Sequence, residues 1–273
     1  MGPIGIFDSG YGGLTVFKEI VKKLPQYDYI YLGDNARVPY GTRSFETVYE
    51  YTLQCVEQLF SLGSHMVVLA CNTASAKALR SIQQNDLPNY TDLRKVLGVI
   101  RPTAEIVGSY SQSKQVGILA TNGTVKSESY VLEIHKFFPE ARVFQQACPI
   151  WVPLVESNEI NNAGTEYFVE KSIKALLAQS GAIDTIILAC THYPILLPLI
   201  KKYTPPHIRI ISQGPLVADS FADYLYRHPE VEELCSKNGN RKFYSTDDAT
   251  NFEEKAAIFY GIPVSATQLK VDC

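Results

Sequence analysis

At 273 residues the chain has room for two α/β domains of ordinary size, or one large one, and can bury a core without disulfide or metal staples. Its 25 basic and 28 acidic residues leave a net charge of −3 with no Lys/Arg block, which removes any electrostatic case for nucleic acid or an anionic membrane surface. No leader pattern opens the chain and no apolar run approaches the roughly 20 residues that span a bilayer, so a cytoplasmic protein away from membranes is expected.

Residues 3–7 read as a short apolar strand. It runs into Asp8-Ser9-Gly10-Tyr11-Gly12-Gly13, a glycine-rich turn opening a helix over 14–24 that Pro25 closes. The turn invites a dinucleotide reading, because Asp34 follows Gly12 by 22 residues, near the spacing of a ribose-binding acid. That reading fails on two counts: Thr15 stands where the third glycine belongs, and Asp8 would set a negative charge against a pyrophosphate. Asp8 and Ser9, at the carboxyl end of a strand, are read instead as polar contacts to a small ligand, with a turn-forming Asx role as the plain alternative. A second strand over 29–32 ends in the polar loop from Gly33 to Gly41. There Tyr40 and Gly41 offer a hydroxyl and an unhindered backbone N–H suited to a carboxylate.

A helix over 45–61 leads to the apolar run Met66-Val67-Val68-Leu69-Ala70-Cys71, after which Asn72 and Thr73 are good N-cap types for an alanine-rich helix over 74–82. A thiol beside a helix N-terminus is expected to have a lowered pKa. The run recurs 119 positions later as Thr185-Ile186-Ile187-Leu188-Ala189-Cys190, followed by Thr191 and His192. A second echo runs parallel to it: Gly5-Ile6-Phe7-Asp8-Ser9-Gly10 is answered 112 positions later by Gly117-Ile118-Leu119-Ala120-Thr121-Asn122. The expected fold is therefore α/β, with two similar domains of mainly parallel strands flanked by helices. They are related by a pseudo-twofold axis, with the active site in the cleft between them at the carboxyl edges of the strands.

Between and after the echoes, residues 98–100 read as a strand and Arg101-Pro102 as a crossover, which sets a boundary near 100. A strand over 116–120 follows, then Cys148 to Glu156 joins strand to helix through two prolines and the only tryptophan. After a strand over 209–212, Gln213-Gly214-Pro215 reads as an interdomain turn, and the chain returns to the first domain through a helix over 216–226, a strand over 242–245 and a helix over 251–260. The domains are then 1–99 with 213–273, and 100–212. The charged stretch 227–240 reads as an exposed loop or short helix.

Either cysteine alone is most simply a small buried hydrophobe. Two thiols from matching halves have a further use, because racemising a carbon centre needs a base on one face and an acid on the other, and like groups can exchange those roles. His192, two residues past the second thiol, is either a satisfied packing residue or an imidazole that supports thiolate formation. The six cysteines show no C-x-x-C spacing, which argues against a zinc site and, in a reducing compartment, against a disulfide framework; free thiols are expected.

Four segments together, Ile6 to Leu14, Gly33 to Gly41, Ala70 to Ala74 and Ala189 to Pro194, resemble the signatures of the glutamate racemases, in the cofactor-independent aspartate/glutamate racemase superfamily. The resemblance implies that Cys71 and Cys190 are the two acid/base thiols, that Asp8 supports the first, and that His192 with Glu156 supports the second. It implies a substrate site lined by Asp8, Ser9, Tyr40, Gly41, Asn72, Thr73, Thr121, Thr124, Thr191 and His192. It further implies glutamate as the small-molecule substrate, a cell-wall role through supply of D-glutamate, and no cofactor, pyridoxal phosphate included. A homodimer is also expected. Two rivals stand beside this reading: an aspartate racemase, which would keep both thiols, and a two-lobed amino-acid sensor, which would not require them to face each other.

Overall fold

Among residues 1–271, which the computed structural model describes, ten strands are found: β1 (Ile4–Asp8), β2 (Tyr29–Gly33), β3 (Met66–Leu69), β4 (Lys95–Gly98), β5 (Gln115–Ala120), β6 (Arg142–Ala147), β7 (Thr185–Ala189), β8 (Arg209–Ser212), β9 (Arg241–Ser245) and β10 (Ala266–Gln268). They form two sheets in which every pairing is parallel, one ordered β10-β9-β2-β1-β3-β4 and the other β6-β5-β7-β8.

The helices in chain order are α1 (Leu14–Lys23), α2 (Phe45–Ser61), α3 (Asn72–Lys77), α4 (Leu79–Ser81), α5 (Ile100–Tyr110), α6 (Asn122–Ser127), α7 (Ser129–Phe137), α8 (Trp151–Glu156), α9 (Ala163–Leu177), α10 (Leu197–Tyr203), α11 (Gln213–Arg227), α12 (Pro229–Glu232) and α13 (Ala249–Tyr260). Side-chain caps begin several of them: Ser44 accepts the Thr47 N–H at 3.1 Å before α2, and Asn162 accepts the Thr165 N–H at 2.9 Å before α9.

The central strands are continuous apolar runs because helices cover both sheet faces, and β1, β3 and β7 are buried at every position. Each fully buried Ile, Leu or Phe in them contributes roughly 1.5–3 kcal/mol relative to exposure. Phe17 of α1 anchors the larger sheet, stacking on Tyr31 and Tyr260 and meeting Tyr29 and Phe243 edge-on.

The sequence echo has a structural counterpart. β1 pairs with β3 with Gly5 opposite Val67 and Phe7 opposite Leu69, and β5 pairs with β7 with Gly117 opposite Ile186 and Leu119 opposite Leu188. Shifting the first pair by 112 and 119 positions, respectively, reproduces the register of the second. The two cysteine-bearing loops therefore leave their sheets at equivalent places.

Some local expectations are corrected. Val99 and Ile100 are not in a strand: β4 ends at Gly98, and α5 starts at Ile100 with Pro102 in its first turn, where a missing N–H costs nothing. Gln213-Gly214-Pro215 is likewise no free turn but the start of α11, which packs along α1. The helix expected over 74–82 starts at Asn72, breaks at Ala78 into α4 and ends in a wider turn over Ile82–Asp86. The charged stretch 227–240 does contain a short helix, α12. It is tethered, however, with Val231 and Cys235 buried and the Asp28 carboxylate accepting from the Asn238 side chain and the Asn240 N–H.

Candidate active site

The carboxyl ends of β1, β3, β5 and β7 converge on a cavity of ≈ 100 Å³. Cys71 and Cys190 both line it, one from each sheet. Ser9, Tyr40, Gly41, Asn72, Thr73, Thr121, Glu156, Thr191 and His192 line it too. Asp8 and Thr124 do not: both are fully buried one layer behind.

Cys71 caps α3, its sulfur accepting the Ala74 N–H at 3.4 Å and lying 3.4 Å from the Ser9 hydroxyl. The lowered pKa expected from the helix end does not result. Burial pushes the thiol up to about 12, the Asp8 carboxyl nearby adds to the rise, and the Ser9 and Ala74 hydrogen bonds only partly offset it. Asp8 touches no atom of Cys71 by hydrogen bond; it accepts the Gly10 N–H at 3.0 Å. Burial raises its own pKa, against the pull of His192 and the surrounding backbone N–H groups. A protonated Asp8 would present no charge to oppose a thiolate at Cys71.

Cys190 sits in a different setting. Its sulfur is 3.9 Å from His192 Nδ1, and His192 Nε2 is 2.9 Å from Glu156 Oε1, so thiol, imidazole and carboxylate form a chain. Burial disfavours the imidazolium, but hydrogen bonds and charge attraction from Cys190 and Glu156 outweigh it and raise His192 to about 10. One thiol is thus held protonated, and the other faces a stabilised cation.

The glycine-rich turn serves this second loop. A Cβ on Gly12 would lie 2.3 Å from both His192 Nδ1 and Thr191 Oγ1, and Thr15 donates its hydroxyl to the Thr191 carbonyl at 2.9 Å. The space a pyrophosphate would need is filled by protein, which is why the dinucleotide spacing misleads.

Tyr40 lines the cavity, but the hydroxyl expected to meet a ligand is donated to buried Asp34. Asp34 also pairs with Arg37 at 2.7 Å and accepts from Thr246 at 2.8 Å, so this carboxylate anchors the loop. The neighbouring Gly41 allows close approach, since a Cβ there would lie 2.9 Å from Thr121 Cβ. Thr121 Oγ1 lies 2.9 Å from Thr73 Oγ1 and 3.1 Å from Thr124 Oγ1, a hydroxyl cluster joining α3 to the start of α6. Thr124 supports Thr121 from behind.

Sequence reasoning missed Gly12 and Thr15 as supports of the His192 loop, and Val38, Pro39, Thr42, Asn122, Pro149, Val152 and Pro153 as cavity wall. It also missed Tyr130 and Gln213, which bond to Asn72 from 58 and 141 positions away, where no local pattern marks them. Cys55, Cys148 and Cys235 are buried free thiols like the site pair, and Cys273 lies outside the described residues. Among the described residues no group of three or more His, Cys, Asp or Glu side chains is arranged to hold a metal ion. No helix there is long and apolar enough to cross a membrane.

A family model described as Asp/Glu/Hydantoin racemase matches residues 4–219. The chain is 39% identical over 269 residues to a glutamate racemase of Persephonella marina, covering 98% of this chain and 97% of that one. A solved glutamate racemase from Bacillus anthracis is similar at TM-score 0.89 and 33% identity, covering 99% of this chain and 98% of the other. A Francisella tularensis glutamate racemase solved in complex with D-glutamate is similar at TM-score 0.87 and 29% identity, with coverage of 99% and 98%. With the family model spanning most of the chain and these relatives matching it end to end, the chain belongs to the Asp/Glu/Hydantoin racemase family, among its glutamate racemases, and is an isomerase.

Proposed function

We propose that the protein interconverts L- and D-glutamate by a two-thiol acid/base reaction inside this cavity. The observation that carries the proposal is the pairing of unlike thiols: Cys71, raised to about 12 by burial, and Cys190, facing the His192 imidazolium. In one direction the Cys190 thiolate takes the α-proton, the C–H electron pair passes into the α-carboxylate, and the Cys71 S–H delivers its proton to the opposite face. Cys190 is left as thiol and Cys71 as thiolate, and either the reverse reaction or proton exchange with solvent restores the start. Asp8 supports Cys71 from the layer behind the cavity, and Glu156 acts through His192.

Ser9, the Gly41 N–H, Asn72, Thr73, Thr121 and Thr191 hold the two carboxylates with neutral donors, while Tyr40 shapes the wall and Thr124 steadies Thr121. No pyridoxal cofactor takes part. The domains are 1–99 with 213–273, and 100–212; the larger sheet draws all its strands from the first set and the smaller sheet from the second. A pseudo-twofold relation between them is supported by the shared register of their cysteine strands. The protein works in the cytoplasm as a homodimer and supplies D-glutamate for peptidoglycan.

The test is to incubate the purified protein with L-glutamate, and separately with L-aspartate, and follow optical rotation. Decay to zero with glutamate and a far slower change with aspartate are expected. A constant glutamate signal contradicts the proposal.

A further inference from the structure

Asn72 follows the first thiol directly, and its carboxamide takes part in a closed ring of hydrogen bonds. Asn72 Nδ2 donates to Gln213 Oε1 at 2.7 Å, Gln213 Nε2 donates to the Tyr130 hydroxyl at 2.6 Å, and that hydroxyl donates to Asn72 Oδ1 at 2.6 Å. All three residues are buried. The ring is fixed from outside as well, because Gln213 Nε2 also lies 3.0 Å from Thr103 Oγ1 and 3.2 Å from the Val99 carbonyl, at the start of α5. It therefore joins the first turns of α3, α5 and α11 to α7.

The ring has one self-consistent sense. Turning the Asn72 amide over would set its oxygen against Gln213 Oε1, acceptor facing acceptor, and leave the Tyr130 proton without its partner. Burial raises the Tyr130 hydroxyl well above the ordinary tyrosine pKa, which favours the protonated, donating form. With Oδ1 and one Nδ2 hydrogen committed, the other Nδ2 hydrogen is what Asn72 has to offer the cavity it lines.

We infer that Tyr130 and Gln213 are positioning residues that hold Asn72 as a hydrogen-bond donor, so that it recognises a carboxylate oxygen of the ligand and not its ammonium group. This rests on the racemase reading of the same cavity. A purely structural role for the ring would stabilise the fold without depending on Asn72's contact with the ligand.

The experiment compares Tyr130→Phe, Asn72→Ala and the double variant, with Gln213→Leu as a second disruption of the ring. Tyr130→Phe should raise KM for glutamate about tenfold while kcat changes much less, the pattern of a lost binding contact. In the Asn72→Ala background the same change should add nothing. Gln213→Leu should repeat both results. Multiplicative losses in the double variant, or a Tyr130→Phe enzyme indistinguishable from the parent, would overturn the inference. A readout independent of turnover is the Asn72 side-chain amide in ¹⁵N NMR: one slowly exchanging hydrogen in the parent, lost in Tyr130→Phe, is expected. Two rapidly exchanging hydrogens in the parent would also overturn it. A parent protein inactive on glutamate would sink the racemase reading and leave the ring to be judged by its amide exchange.

Discussion

His192 Nε2 lies 2.9 Å from Glu156 Oε1, a contact between residues 36 positions apart that joins the loop after β7 to the last residue of α8. Its effect is to make the two halves of the site chemically unequal although their strands are arranged alike. A carboxylate behind the imidazole favours the imidazolium, which faces Cys190. Among the described residues Cys71 has no such cation as a partner; its sulfur meets the Ser9 hydroxyl and the Ala74 N–H. The two thiols thus face different partners, and the difference comes from Glu156, which lies outside the repeat.

Glu156→Gln tests that origin. Without the carboxylate, His192 should fall from about 10 towards its ordinary 6.5. The alkaline limb of kcat/KM should then move down by about one pH unit or more, so that activity at pH values above the limb is reduced about tenfold or more. Stability should follow with a definite sign. The folded-state pKa of His192 is raised, so its stabilisation is complete below about 6.5 and is lost as pH rises through about 10. The variant's loss of stability in urea should therefore be largest near pH 6 and vanish above pH 10 or so. An unmoved pH profile contradicts the role given to Glu156.

Ser9→Ala tests the other side. The hydroxyl is one of two groups favouring a Cys71 thiolate against burial, so its loss should cost about tenfold in kcat/KM. Because enantiomers have equal free energy in water, kcat/KM must fall by the same factor from L- and from D-glutamate. The two kcat values are free to diverge. Assays in both directions check this, and unchanged rates in both would contradict the assignment of Ser9.

Gly12→Ala tests the use of the glycine-rich turn. The added methyl would meet His192 and Thr191 at 2.3 Å, displacing the loop that carries the imidazole. A stability loss of ~1–3 kcal/mol is expected from overpacking, together with an activity loss of a hundredfold or more at temperatures where the variant remains folded. Thermal unfolding and initial rates, measured on the same preparation, separate the two.

The sequence carried the architecture because the signal was doubled. Two apolar strands ending in cysteine, each preceded by a matching strand, announce parallel units whose carboxyl ends meet, and the observed registers repeat accordingly. Edge strand β6 was not legible: its Arg142–Ala147 segment contains two glutamines and is only partly buried, so no apolar run marks it. Cavity wall residues were found where a strand end or loop motif flagged them. Tyr40 shows the limit of that method, since a hydroxyl's partner depends on Asp34, whose own environment includes Thr246, 212 positions away. The Cys71 pKa shows another: the local helix end argues one way, while burial by distant segments prevails.

In the two-thiol reaction the α-proton should leave by one thiol and return from another on the opposite face. The most direct measurement is the reaction of L-glutamate in D₂O, stopped at a few per cent conversion, with both enantiomers separated and their α-deuterium content read by mass spectrometry. Two-thiol transfer predicts D-glutamate carrying one deuterium per molecule and remaining L-glutamate essentially unlabelled, because the proton removed by Cys190 is not the one Cys71 delivers. Unlabelled D-glutamate, or label entering both enantiomers equally from the start, would contradict it.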